Sequence, residues 1–146
     1  MTNRKRIQHV FVEFIPSSLA EDTLYISLPY ATVAHRCFCG CGEEVNTPLS
    51  PTDWMISFNG IAVSLDPSIG NWSFACQSHY WVTNNTVIPA PRWSKERIRK
   101  GRAYDAVMKD DYFSASPSPT SSEAVEPSHR ISVSSWANRM RKRLGL

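Results

Sequence analysis

The chain has 146 residues, 42% of them hydrophobic, which suits one domain with tails. No run approaches the roughly 18 consecutive apolar residues that would span a bilayer, and no apolar leader core follows the basic Met1–Arg6, so the chain reads as soluble and cytoplasmic. The net charge of +3 is unevenly shared: residues 7–92 carry seven acids and two bases, and both ends are basic. An acidic body excludes a nucleic-acid groove across the folded part, since phosphate binding needs clustered Lys and Arg.

Taken in chain order, residues 8–14 form a short apolar strand candidate that Pro16 stops. Residues 23–28 alternate, are rich in β formers, and end at Pro29. A cysteine-rich loop follows, in which Gly40 and Gly42 can take positive φ and fold the backbone tightly. Thr47–Pro51 reads as a rigid connector. Residues 54–58 and 61–65 flank Asn59-Gly60, the strongest two-residue hairpin signal. Pro67–Asn71 reads as a further turn. Residues 72–74 and 80–82 are aromatic strand pieces, Asn84-Asn85 turns the chain, and 86–88 can pair back. The expected fold is mainly β: a small zinc-stabilised β-sheet domain over 7–93, with a C-terminal helical segment and a flexible tail.

The composition changes after Trp93. Ser94 is a good N-cap for a helical extension over 94–113, with Ile98, Val107 and Met108 as a thin apolar stripe. Residues 114–131 are rich in Ser, Pro and Thr and predict a disordered linker. Residues 132–146 place Trp136, Met140 and Leu144 among basic residues, which predicts a basic amphipathic tail.

All four cysteines and two of the four histidines fall in two short stretches: His35-Arg-Cys37-Phe-Cys39-Gly-Cys41-Gly42 and Cys76-Gln-Ser78-His79. Thiolate and imidazole are the donors that Zn²⁺ prefers, and four of them close a tetrahedral structural site. Cys37, Cys39, Cys41 and Cys76 form an all-thiolate set. His79 is the rival for one place, through its Cys-x-x-His spacing. His35 is a candidate to hold a sulfur or a carbonyl from behind the ligands. A closed four-thiolate site supplies folding energy rather than catalysis. A catalytic zinc would instead need an open position and a carboxylate such as Glu43 or Glu44.

If cysteines alone hold the metal, His79 is free to act as a general base for a hydroxyl nucleophile. Ser78 is adjacent in sequence, but neighbours on a strand face opposite ways. Ser68 is the better candidate, beside backbone amides and the Asn71 amide that can stabilise an oxyanion. Trp54 and Trp72 are expected in the core, and other aromatics can line a groove for an extended peptide.

The string of His35–Gly42, Thr47–Pro51, Trp54, Asn59-Gly60, Pro67–Trp72 and Cys76–Trp81 resembles a family of small Cys/His-rich bacterial and phage proteins. Some of its members are encoded beside bacterial ubiquitin-like conjugation genes. The resemblance covers roughly residues 8–93 and leaves out the basic tail. It implies processing or removal of a ubiquitin-like modifier by a serine peptidase, with Ser68, Ser78 and His79 in the matching segments. It also implies partners among the modifier and its conjugation enzymes. The alternative is a non-catalytic zinc-ribbon-like adaptor or scaffold.

Overall fold

The computed structural model describes residues 3–115. The expected linker beyond residue 115 and the amphipathic tail lie outside them. Nine strands make two sheets, followed by one helix: β1 (Lys5–Arg6), β2 (Gln8–Phe11), β3 (Thr23–Ser27), β4 (Thr32–Arg36), β5 (Glu44–Pro48), β6 (Met55–Phe58), β7 (Val63–Gly70), β8 (His79–Thr83), β9 (Thr86–Pro89) and α1 (Lys95–Ala115). The fold is mainly β, as the pattern of short alternating segments predicts.

One sheet runs β1-β9-β8-β7-β6 and the other β2-β3-β4-β5. The chain changes sheets at buried Ile7, which lies between β1 and β2. A single apolar cluster draws on both: Leu24, Ile26, Val33 and Val45 from the four-stranded sheet, and Val63, Leu65, Ile69, Val82 and Val87 from the five-stranded one. The two-residue alternation of strands explains this sharing, since each sheet turns one face inward.

Three strands escape the sequence reading: the two-residue β1 in the basic N-terminal run, β4 and β5. β4 runs directly into the first cysteine, and β5 is disguised by Glu44, Asn46 and Pro48. Yet Val45 and Thr47 of β5 point inward while their neighbours face solvent. The supposed connector at 47–51 thus begins as strand. Pro48 is tolerated because β5 is the edge of its sheet.

Three local expectations are corrected. The β6–β7 hairpin is closed by four residues, with Phe58 opposite Val63. The Asn59 side chain accepts from the amides of Ile61 and Ala62 at 2.9 and 2.8 Å, and this Asx turn holds the wider loop. Pro67–Gly70 is the end of strand β7, with a bulge: Leu65 faces Val82 but Ile69 faces Tyr80, so β7 spends four residues where β8 spends two. Residues 72–74 form a turn between β7 and β8 instead of a strand.

α1 begins as expected, with the Arg97 amide donating to Ser94 Oγ at 3.2 Å. It buries no residue fully. Polar contacts hold it across the end of the five-stranded sheet: Lys109 pairs with Asp53 at 2.6 Å, and Arg102 donates to Ser73 at 3.2 Å. No described helix is long and apolar enough to cross a membrane.

Candidate functional site

Two constellations flank strand β8. The first is the thiol cluster. The tip of the β4–β5 hairpin carries Cys37, Cys39 and Cys41. The Cys37 amide donates to the Glu43 carbonyl at 2.7 Å, closing the loop, and Gly40 and Gly42 take φ of 89° and 88°, a region that favours glycine. Cys76 arrives from the β7–β8 turn. The four sulfurs lie within 4.8 Å of one another.

The chemistry of these donors fits a metal ion. Burial raises the Cys76 thiol, but hydrogen bonds from the Ser78 hydroxyl and backbone amide, with those from Cys39 and Cys41, bring the group down to about 7. Burial, followed by the neighbouring Cys37 and Cys41 thiols, pushes Cys39 up to about 12. A cation held by Cys37, Cys39, Cys41 and Cys76 would supply the positive charge that lets all four become thiolates.

Behind the sulfurs is a buried polar chain. Ser78 Oγ lies 3.0 Å from Cys37 Sγ and 3.4 Å from Cys76 Sγ. The Asn71 amide donates to Ser78 Oγ at 2.9 Å and to Tyr80 Oη at 3.2 Å. Tyr80 Oη in turn meets His35 Nε2 at 2.8 Å. His35 thus touches neither a sulfur nor a carbonyl through this nitrogen. It stacks on Phe38 with centroids 4.3 Å apart, and full burial lowers it to about 3, so it is neutral. Burial likewise raises the Tyr80 hydroxyl, which stays protonated.

The second constellation lies on the other face of β8. His79 Nε2 is 2.9 Å from Ser68 Oγ, and His79 Nδ1 is 2.6 Å from the Pro91 carbonyl oxygen. A carbonyl only accepts, so Nδ1 carries the proton and Nε2 is left to accept from the serine hydroxyl. The pairing of Gly70 with His79 sets the register, and the bulge in β7 places Ser68 beside the ring. His79 is not among the clustered metal donors. Ser78, just before β8, and His79 do not pair: the Ser78 hydroxyl faces Cys37 Sγ and the His79 ring faces Ser68.

Aromatic rings enclose His79. Trp72 lies 4.9 Å from it and Trp93 5.3 Å, centroid to centroid, and the two indoles stack at 5.6 Å and 24°. Arg97 sits 4.5 Å above the Trp93 ring. Trp54 packs against the core as expected, whereas Trp72 belongs to this wall. Ser68, His79, both indoles and the inner side of α1 line a cleft of about 610 Å³. Sequence reasoning misses the Pro91 carbonyl, which has no side-chain signature. It also misses Trp93, which it uses only as a boundary. The Pro-Ala-Pro-Arg run before Trp93, too stiff for a strand or a helix, is the one available signal.

Residues 11–90 match a family described as the bacterial ubiquitination-like system serine protease, BubE. No curated protein and no solved structure matches the chain. The matched span holds all four cysteines, Ser68 and His79, and covers more than half of the sequence, so this chain belongs to the BubE family of bacterial ubiquitination-like systems.

Proposed function

We propose that this protein is a cytoplasmic serine peptidase that cleaves at the C-terminal tail of a ubiquitin-like modifier, either to mature it or to release it. The observation that carries this reading is the relay from Ser68 Oγ through the His79 ring to the Pro91 carbonyl. Ser68 attacks the scissile carbonyl, and His79 takes its proton at Nε2. The same nitrogen then protonates the leaving amine, and water hydrolyses the acyl-enzyme with His79 again as base. The Pro91 carbonyl fixes the tautomer and steadies the imidazolium that forms.

The cleft suits an extended chain. β6 pairs with β7 only as far as Met55 opposite Asp66, so the edge of β7 beyond Asp66, including Ser68, has no ladder partner on that side among the described residues. A tail can add there as a further strand and bring its carbonyl to Ser68. The family's place in a ubiquitination-like system supports the modifier and its conjugation enzymes as partners.

In the same reading Cys37, Cys39, Cys41 and Cys76 hold a structural Zn²⁺. Four thiolates leave no open coordination position, and the ion's contribution is to tie the β4–β5 tip to the β7–β8 turn. An adaptor role without catalysis is the competing reading. Incubating the protein with its cognate modifier precursor decides between them. The peptidase is expected to trim the precursor, to lose this with Ser68→Ala or His79→Ala, and to keep it in large part with Ser78→Ala. A wild-type protein that leaves the precursor intact and is not labelled at Ser68 by a fluorophosphonate favours the adaptor.

A further inference from the structure

We propose that the indole Nε1–H of Trp72 is the donor that receives the oxyanion formed when Ser68 attacks a carbonyl; this rests on the peptidase reading above. In that step Ser68 Oγ bonds to the carbonyl carbon, the C=O π pair moves onto oxygen, and the serine proton passes to His79 Nε2. Collapse restores the C=O and expels the amine, which takes the proton from His79. The negative charge that appears on oxygen needs a preplaced hydrogen-bond donor.

The amide nominated by the sequence does not supply it. Asn71 Nδ2 is committed to Ser78 Oγ and Tyr80 Oη, on the core side of the strand. Trp72 lines the same cleft as Ser68 and His79. Its Nε1 lies over the backbone of Gly70, 2.5 Å from where a Cβ would stand. Ile69 is 2% exposed and faces the core, so Ser68 and Gly70 face the cleft together, about 7 Å apart along the strand. A carbonyl attached to Ser68 Oγ can accept from donors up to about 5 Å from that oxygen, and we assign this reach to the Trp72 N–H from its seat over Gly70.

Three features suit Trp72 to the task. Indole nitrogen only donates and does not titrate. Among the described residues nothing accepts from it. The ring is also held in place, stacked on Trp93 and edged by His79, so no reorganisation accompanies the reaction. Gly70 is then required by chemistry as well as by space, because any side chain there displaces the indole.

The test replaces Trp72 with benzothienylalanine, which keeps the bicyclic shape and exchanges N–H for sulfur. Trp72→Phe, made alongside, keeps a ring without a donor. The full chain is assayed on the modifier precursor, and fluorophosphonate labelling of Ser68 is followed by mass spectrometry. The expected result is a fall in kcat of about 10²–10³-fold with KM nearly unchanged, matched by slower labelling, while melting and metal content stay as in the wild type. A benzothienyl protein that cleaves and labels at the wild-type rate overturns the donor role and leaves the Ser68–His79 pair standing. A wild type that is not labelled at Ser68 overturns the pair, and the donor role falls with it.

Discussion

His79 directs its Nδ1–H to the main-chain carbonyl of Pro91, 2.6 Å away, where a carboxylate would serve in a full triad. A carbonyl orients the imidazole but carries no full charge. Because the acceptor is backbone, Pro91→Ala is expected to preserve most activity. His79→Ala is expected to lose about 10²–10⁴-fold in kcat/KM while keeping its metal. Steady-state cleavage measured beside metal content on one preparation checks both. Loss of metal in His79→Ala would return that residue to the thiol cluster.

The thiol cluster predicts about one zinc per chain, the stoichiometry of a single four-ligand site. Cys39→Ser or Cys76→Ser is expected to lose the metal and the cooperative thermal transition together, because binding free energy in such a site is folding free energy. Elemental analysis and calorimetry read these separately. Metal-free wild type that melts cooperatively at the same temperature contradicts the assignment.

Ser78 is expected to act on the metal side only. Its hydroxyl lies 3.0 Å from Cys37 Sγ and 3.4 Å from Cys76 Sγ, so Ser78→Ala removes a partner of two thiolates. Competition with a chromophoric chelator should show zinc held about 10–100-fold more weakly, the usual cost of losing such support. At saturating zinc the cleavage rate should return to near that of the wild type. A rate that stays low would make Ser78 part of the chemistry.

The clasp between Asp53 and Lys109 predicts a pH and salt response of α1. The hydrogen bond from Lys109, with that from Ser50, holds the Asp53 carboxyl below its ordinary value. A depressed carboxylate contributes its stabilisation fully above the ordinary value, about 4, and loses it as pH falls through the folded one. With Lys109 partly exposed, the pair is worth at most about 1 kcal/mol and weakens with salt. Hydrogen exchange should show α1 amides opening faster in Lys109→Ala and in wild type at high salt, with the sheets unchanged. Equal protection of α1 in the variant would mean that the clasp does not hold the helix.

Much of this arrangement is legible in the residues. Clustering of every cysteine into two stretches announces the sulfur cage; β3 announces itself by alternation, β8 by its aromatic run, and β9 by the Asn84-Asn85 turn before it. Other parts are hidden for physical reasons. β5 lies at an edge, where Glu44, Asn46 and Pro48 can face outward, so only Val45 and Thr47 betray it. Pro67 looks like a turn because proline usually interrupts strands, yet a bulge absorbs it. Trp72 looks like core because large aromatics usually are. Its place beside His79 depends on Gly70 leaving room, a relation between two residues that neither one shows alone.

Ser78 and His79 are successive residues, yet one faces the sulfurs and the other faces Ser68. On the proposed reading, adjacent codons answer to unrelated selective demands. Under metal-replete growth, random substitution at position 78 should be forgiven far more often than at 79. Scarcity of metal should erase that difference, so the mutational tolerance of two neighbouring positions would register the supply of an ion.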